Sequence, residues 1–199
     1  MAQTQDFDIN ISKKQQYMKF LLFIALIAGW AAQINAASDV SRGQRGPTPY
    51  DAFLQPVHAV LGNLQGGSTS FKKVSELMRQ GHAFKYIRQS PYAATLPDIT
   101  AMRRSGDCKA KSLWLADRMN DCTIRFVVGK ANSNSTVYHA WLLWKNQGRW
   151  WILDPTLSAN PISAESVTPD RYLALYSYDK SGSYCHVERP VTRRSIAAN

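Results

Sequence analysis

The chain is poor in the things that would have settled its class at once. It has 3 cysteines in 199 residues, too few to build a disulfide scaffold, so a hydrophobic core must hold the fold. Acidic side chains are also scarce, 14 against 24 Lys and Arg, which leaves a net charge of +10. Internal repeats and low-complexity tracts are lacking. With 45% hydrophobic and 19% charged residues, the composition excludes a disordered tail, a collagen-like fibre and a coiled coil. One main folded domain is expected from this length. A balance this basic suits an anionic neighbour.

A long apolar run is missing too. Phe20 to Ala32 carries no polar side chain, but a bilayer-crossing helix needs about 20 apolar residues. Lys13, Lys14 and Lys19 precede the run, and Ile34-Asn35-Ala36 follows as a small-residue cut site. Residues 1–36 therefore read as an N-terminal extension plus a secretory signal peptide, cut after Ala36, with an uncleaved anchor as the alternative. Translation from Met18 would give a compact signal peptide, with residues 1–17 as an upstream extension. Only two aspartates, Asp6 and Asp8, accompany those three lysines, so the positive charge belongs to the exported part. The expected location is periplasmic or secreted. Nucleic acid is then a poor partner, and the membrane is met only through the signal segment.

Residues 37–69 read as a flexible lead-in, because Gly, Pro and Ser dominate residues 37–50 and recur from Gly62 to Ser70. Residues 70–188 hold the folded domain, and residues 189–199 form a basic tail. Phe71, Val74, Leu77 and Met78 recur at helical spacing, with Phe84 and Ile87 continuing the apolar positions. Lys109 to Met119 is apolar nearly all round, the mark of a buried helix. After Cys122 the period becomes that of strands: Ile124 to Val128, stopped by Gly129; Val137 to Lys145; Arg149 to Leu153; and Tyr172 to Tyr178. Helices followed by antiparallel strands make an α+β fold.

Gly106-Asp107-Cys108 stands directly before the buried helix. A thiol there faces the positive end of the helix dipole and its unpaired N–H groups. Asp107 suits the cap, and Gly106 a sharp turn. A hairpin loop at Asn146-Gln147 pairs Lys145 with Gly148 and Trp144 with Arg149. Continuing that ladder sets His139 opposite Asp154, at about 5 Å between Cβ atoms. Cys108 as nucleophile, His139 as base and Asp154 as orienter fit acyl transfer. Trp141 shares the strand face of His139 and is a candidate substrate-binding wall. His58, His82 and His186 lack metal-ligand spacing.

Three blocks, Gly106-Asp107-Cys108, Tyr138-His139-Ala140-Trp141 and Trp151-Ile152-Leu153-Asp154-Pro155-Thr156, resemble those of the transglutaminase-like superfamily. They are similar to its bacterial cysteine proteinase branch in particular. The resemblance implies a papain-like α+β fold, with the catalytic Cys at the start of a central helix packed on an antiparallel sheet. It implies a cysteine peptidase or transglutaminase-like hydrolase that attacks protein or peptide amides through a thioester, with Cys108, His139 and Asp154 as the triad. Members with a calcium site carry acidic residues just after the Cys. Here Lys109-Ala110-Lys111 occupies that place, so no metal and no cofactor are expected. The Trp or Gln often found upstream has no equivalent around Tyr92 to Pro97. A silent binding module with the same fold and a peptidoglycan-directed amidase share these residues as other readings, and an envelope protein is a fitting substrate.

Export leaves an odd thiol count in an oxidising compartment. Cys108 should be free, with Cys122 and Cys185 either paired or both free and buried. N-terminal sequencing of exported protein should begin at Ala37; a retained 20–32 segment would mean an anchor.

Overall fold

The computed structural model describes residue 40 and residues 43–67, 69–89 and 93–186. The signal segment and the basic tail lie outside the described residues. Among the described residues, no helix is long and apolar enough to cross a membrane.

The main sheet has seven strands, in the order β1-β9-β8-β4-β5-β6-β7, every neighbouring pair antiparallel. They are β1 (Gln44–Arg45), β4 (Ile124–Asn132), β5 (His139–Asn146), β6 (Arg149–Leu153), β7 (Ile162–Ser163), β8 (Arg171–Asp179) and β9 (Gly182–Cys185). β2 (Lys85–Tyr86) and β3 (Ser105–Gly106) form a separate small parallel pair. The helices are α1 (Gln55–Asn63), α2 (Phe71–His82), α3 (Pro97–Arg103) and α4 (Cys108–Met119). The order is α+β, as the sequence reading expects.

α4 is the central helix because almost every side chain on it is buried, including Lys109, Lys111 and Ser112. Asp107 caps it, accepting from the Ala110 N–H at 3.1 Å, and Asn120 ends it in the left-handed conformation. Leu113, Leu115 and Ala116 join Phe126, Leu142 and Trp144 of the sheet in the larger core. A smaller cluster around Val127, Trp141, Ile152 and Tyr172 lies apart from it. Strands buried on both faces carry near-continuous apolar runs, which is why β5 reads Ala-Trp-Leu-Leu-Trp.

Several local expectations are corrected. Residues 37–69 are not simply a flexible lead-in, because they supply β1 and α1. Leu54, Val57, Leu61 and Leu64 are buried in the larger core, so the folded domain starts well before residue 70. α2 ends at His82, and Lys85–Tyr86 pairs with β3, so the helical spacing does not run on to Phe84 and Ile87. Gly129 does not stop β4. It sits at a bulge where an added Cβ would lie 2.0 Å from the Leu173 carbonyl oxygen and 2.8 Å from the Trp141 ring. Gly106 gives room rather than a turn, since its Cβ would meet the Ala110 Cβ at 2.7 Å.

The hairpin register also differs. Asn146 pairs with Arg149 and Leu142 with Leu153, around a Gln147-Gly148 loop with φ of 50° and 78°. Positive φ at both loop positions gives the mirror-image turn that matches strand twist. Moving the loop by one residue slides the pairing by two, so every side chain keeps its face. His139 and Asp154 are diagonal neighbours rather than directly opposed.

All three cysteines are free. Cys185 pairs with Tyr176, which is level with Val128, whereas Cys122 lies beyond Ile124. The stretch of β4 from Ile124 to Val128 alone spans about 13 Å, well past the reach of a disulfide.

Asp121 ties three elements together. Its Oδ2 accepts from the Thr69 N–H at 2.9 Å and from Trp144 Nε1 at 3.0 Å, and its Oδ1 from the Thr123 N–H at 2.9 Å. Burial alone would raise this carboxyl, but the donated hydrogen bonds outweigh it and hold the group below the usual range. Such a group stabilises the fold above its unfolded pKa, and loses that contribution as pH falls through the folded value. Asp121→Ala should cost about 1–3 kcal/mol near neutrality. In urea unfolding, the gap from the parent should close under strongly acid conditions.

Candidate active site

The three residues singled out from the sequence come together. Cys108 is the first residue of α4, His139 opens β5 and Asp154 follows β6. His139 Nε2 lies 2.7 Å from Asp154 Oδ2. Cys108 lies near enough to the same ring to act on it electrostatically. A buried tie holds the pieces in place: Ser112 Oγ, one turn along α4 from Cys108, donates to the Ala140 carbonyl at 3.2 Å. Helix and strand are thus joined right beside Cys108 and His139.

Asp154 is fully buried, and its two oxygens have separate duties. Oδ1 accepts from the N–H groups of Thr156 at 3.0 Å and Leu157 at 3.2 Å. Oδ2 accepts from His139 and from the Tyr172 hydroxyl, the latter at 3.1 Å. Asp154 is therefore both the turn residue that ends β6 and the partner of His139. Burial by itself would lower the pKa of His139. The hydrogen bond to the Asp154 carboxylate, with its negative charge, and the interaction with Cys108 outweigh that and push it up to about 10.

Cys108 opens into a cleft of about 790 Å³ that Tyr86, Arg88, Gln89, Lys109, Val137 and Tyr138 also line. Tyr86 and Tyr138 are about half exposed, at 51% and 49%. The Lys109 ammonium is bonded to the cap carboxylate of Asp107. Another hollow, of about 590 Å³, lies by Phe71 and the Gln147 turn and is lined by none of Cys108, His139 and Asp154. Among the described residues, no three His, Cys, Asp or Glu side chains gather as a metal site.

Trp141 does not line the cleft, which corrects its reading as a substrate wall. It is fully buried. Its indole stacks beside the His139 ring with centroids 6.1 Å apart and planes 24° apart, and meets the Tyr172 ring edge-on at 5.3 Å. Sequence spacing put Trp141 on the correct face of β5 but could not tell cleft from core. Tyr172 and Ser112 were missed as neighbours of the site. Nothing local marks Tyr172; a serine inside an otherwise apolar helix is the signal that could have marked Ser112.

No family model matches the chain, and no curated protein does. Among solved structures the chain is similar to Legionella pneumophila LapG, at 16% identity over 64% of this chain and 74% of that one, with a TM-score of 0.48. The calcium-bound form of LapG aligns over 70% of this chain and 81% of that one, at the same identity of 16% and TM-score of 0.48. A candidate cysteine protease of Cytophaga hutchinsonii aligns over 50% of this chain and 36% of that one, at 18% identity and a TM-score of 0.39. These likenesses are partial, and the chemistry of the site rests on its own geometry.

If Trp141 supports His139 from the core, Trp141→Ala should cost about 3–5 kcal/mol of stability. Trp141→Phe keeps a ring beside the imidazole and should cost less. Urea unfolding of the two variants checks this, and an unchanged midpoint in Trp141→Ala would return the residue to the cleft.

Proposed function

We propose that the chain is an exported, thiol-dependent acyl-transfer enzyme, most simply a cysteine peptidase acting on protein or peptide amide bonds. One observation carries the reading: the His139 ring is hydrogen-bonded to the buried Asp154 carboxylate and interacts with Cys108 at the start of α4.

The steps follow from that contact. His139, as the imidazolium, already holds the thiol's proton when Sγ attacks the amide carbonyl carbon. The carbonyl oxygen becomes an oxyanion beside the start of α4. There the cap spends the Ala110 and Lys111 N–H groups on Asp107, and the Cys108 N–H faces the oxyanion. When the C–N bond breaks, the imidazolium gives its proton to the leaving amine, and the acyl group stays on Sγ as a thioester. Water then attacks, His139 accepts its proton, and the acid departs as the thiol is restored. Asp154 fixes the ring's tautomer and balances the imidazolium charge throughout. Hydrolysis is the simpler completion, since nothing in the cleft marks an amine acceptor. The half-exposed Tyr86 and Tyr138 beside Cys108 suit a peptide chain laid across the cleft. The basic net charge of +10 suits an envelope or secreted protein as substrate.

Alkylation by iodoacetamide near neutral pH tests this without a known substrate. Cys108 should react well ahead of Cys122, although Cys122 is exposed and Cys108 is buried, and His139→Ala should slow it. With a peptide substrate, Cys108→Ala should abolish turnover while keeping the fold, and Asp154→Asn should lose somewhat less than His139→Ala. A Cys108 as inert as a model-peptide thiol would overturn the enzyme reading and favour a binding module.

A further inference from the structure

Tyr172 is an odd residue to find within a strand. Its φ is 52°, in the left-handed region that a bulky side chain rarely enters, and a conformation of that kind persists only where its surroundings enforce it. The side chain is buried, at 1% exposure. Two contacts account for its aim: the hydroxyl reaches Asp154 Oδ2 at 3.1 Å, and the ring meets Trp141 edge-on. Trp141 in turn stacks beside His139. One residue therefore touches both the carboxylate and the indole that flank the imidazole.

Resting on the reading of the site as a Cys-His-Asp triad, we propose that Tyr172 is a positioning residue. Its phenol, donated to the oxygen that also holds His139, limits how tightly Asp154 grips the imidazolium. The carboxylate is not short of partners without it, because Oδ1 already has the Thr156 and Leu157 N–H groups. A second donor on Oδ2 draws off negative charge that would otherwise act on His139 alone. An imidazolium held less tightly gives its proton more readily to a leaving amine. Burial and the Asp154 charge both push the phenol's own ionisation well above its ordinary range, so Tyr172 remains a donor wherever the protein works.

Other charged groups act on the same cluster. From α4 come the Cys108 thiol and Lys111, whose ammonium interacts electrostatically with Asp154. From β8, the Arg171 guanidinium lies 5.6 Å from the centre of the Tyr172 ring. All three are unchanged when only the hydroxyl is removed, so Tyr172→Phe isolates the donated bond.

The test follows His139 by ring NMR in a Cys108→Ala background, which removes the thiol from the ring, with the signal assigned by its loss in His139→Gln. Tyr172→Phe should raise the His139 midpoint by roughly half a pH unit or more, with thermal unfolding close to that of the parent. Placing 3-fluorotyrosine at position 172 keeps the ring and makes the phenol a stronger donor, so the midpoint should move down. That variant decides the matter if Tyr172→Phe does not fold. An unmoved midpoint would leave Tyr172 as packing only, and a midpoint that falls in Tyr172→Phe would mean that the phenol merely props the carboxylate. Either result overturns the proposal. Iodoacetamide reactivity of the parent Cys108 is read separately, so failure of the triad reading and failure of this inference are distinguishable.

Discussion

The site depends on α4 lying against β5. Cys108 is offered by the first residue of a helix and His139 by the first residue of a strand, and nothing in either element alone brings them together. The joint is apolar along most of its length, with Leu113, Leu115 and Ala116 sharing a core with Ala140, Leu142 and Trp144. It is polar where Ser112 Oγ donates to the Ala140 carbonyl. Apolar contact brings the surfaces together with no directional preference. This buried hydrogen bond, placed one residue from His139, is directional and fixes the offset between helix and strand.

Asp154 is the second constraint. A carboxylate removed from water is costly unless every lone pair direction is used. Two backbone N–H groups hold one oxygen, and the imidazole and a phenol hold the other. The turn that begins at this residue is therefore part of the site, since the backbone that reverses the chain also orients the carboxylate. Behind it, the Trp141 ring and the Leu173 carbonyl occupy the space that Gly129 leaves open at the bulge in β4. Packing, backbone geometry and electrostatics meet at a single imidazole.

Much of this was legible in local sequence. Asp107 before Cys108 announced a capped helix start, and the unbroken apolar face of α4 announced its burial. The β5–β6 loop was placed one residue too early, yet the reading of faces survived because side chains repeat every two residues. What escaped was non-local. Leu54, Val57, Leu61 and Leu64 carry a helical period that Gly and Pro nearby concealed, although Pro56 in the first turn of α1 is itself a helix-start signal. β1 pairs with β9 across most of the chain, and no short-range pattern reports such a pairing. The placement of Trp141 in the core, against the room that Gly129 leaves, and the left-handed backbone of Tyr172 are matters of tertiary packing. A one-dimensional period carries no record of that.

The central claim is that His139 is coupled both to Asp154, by a hydrogen bond, and to Cys108. Ring NMR of His139 in the unaltered protein tests it most directly. The geometry predicts a doubly protonated ring at neutral pH that loses its proton only near pH 10, and a lower midpoint once Cys108→Ala removes the thiol. A ring that titrates near 6.5, as an isolated histidine does, and that ignores Cys108→Ala would contradict the account.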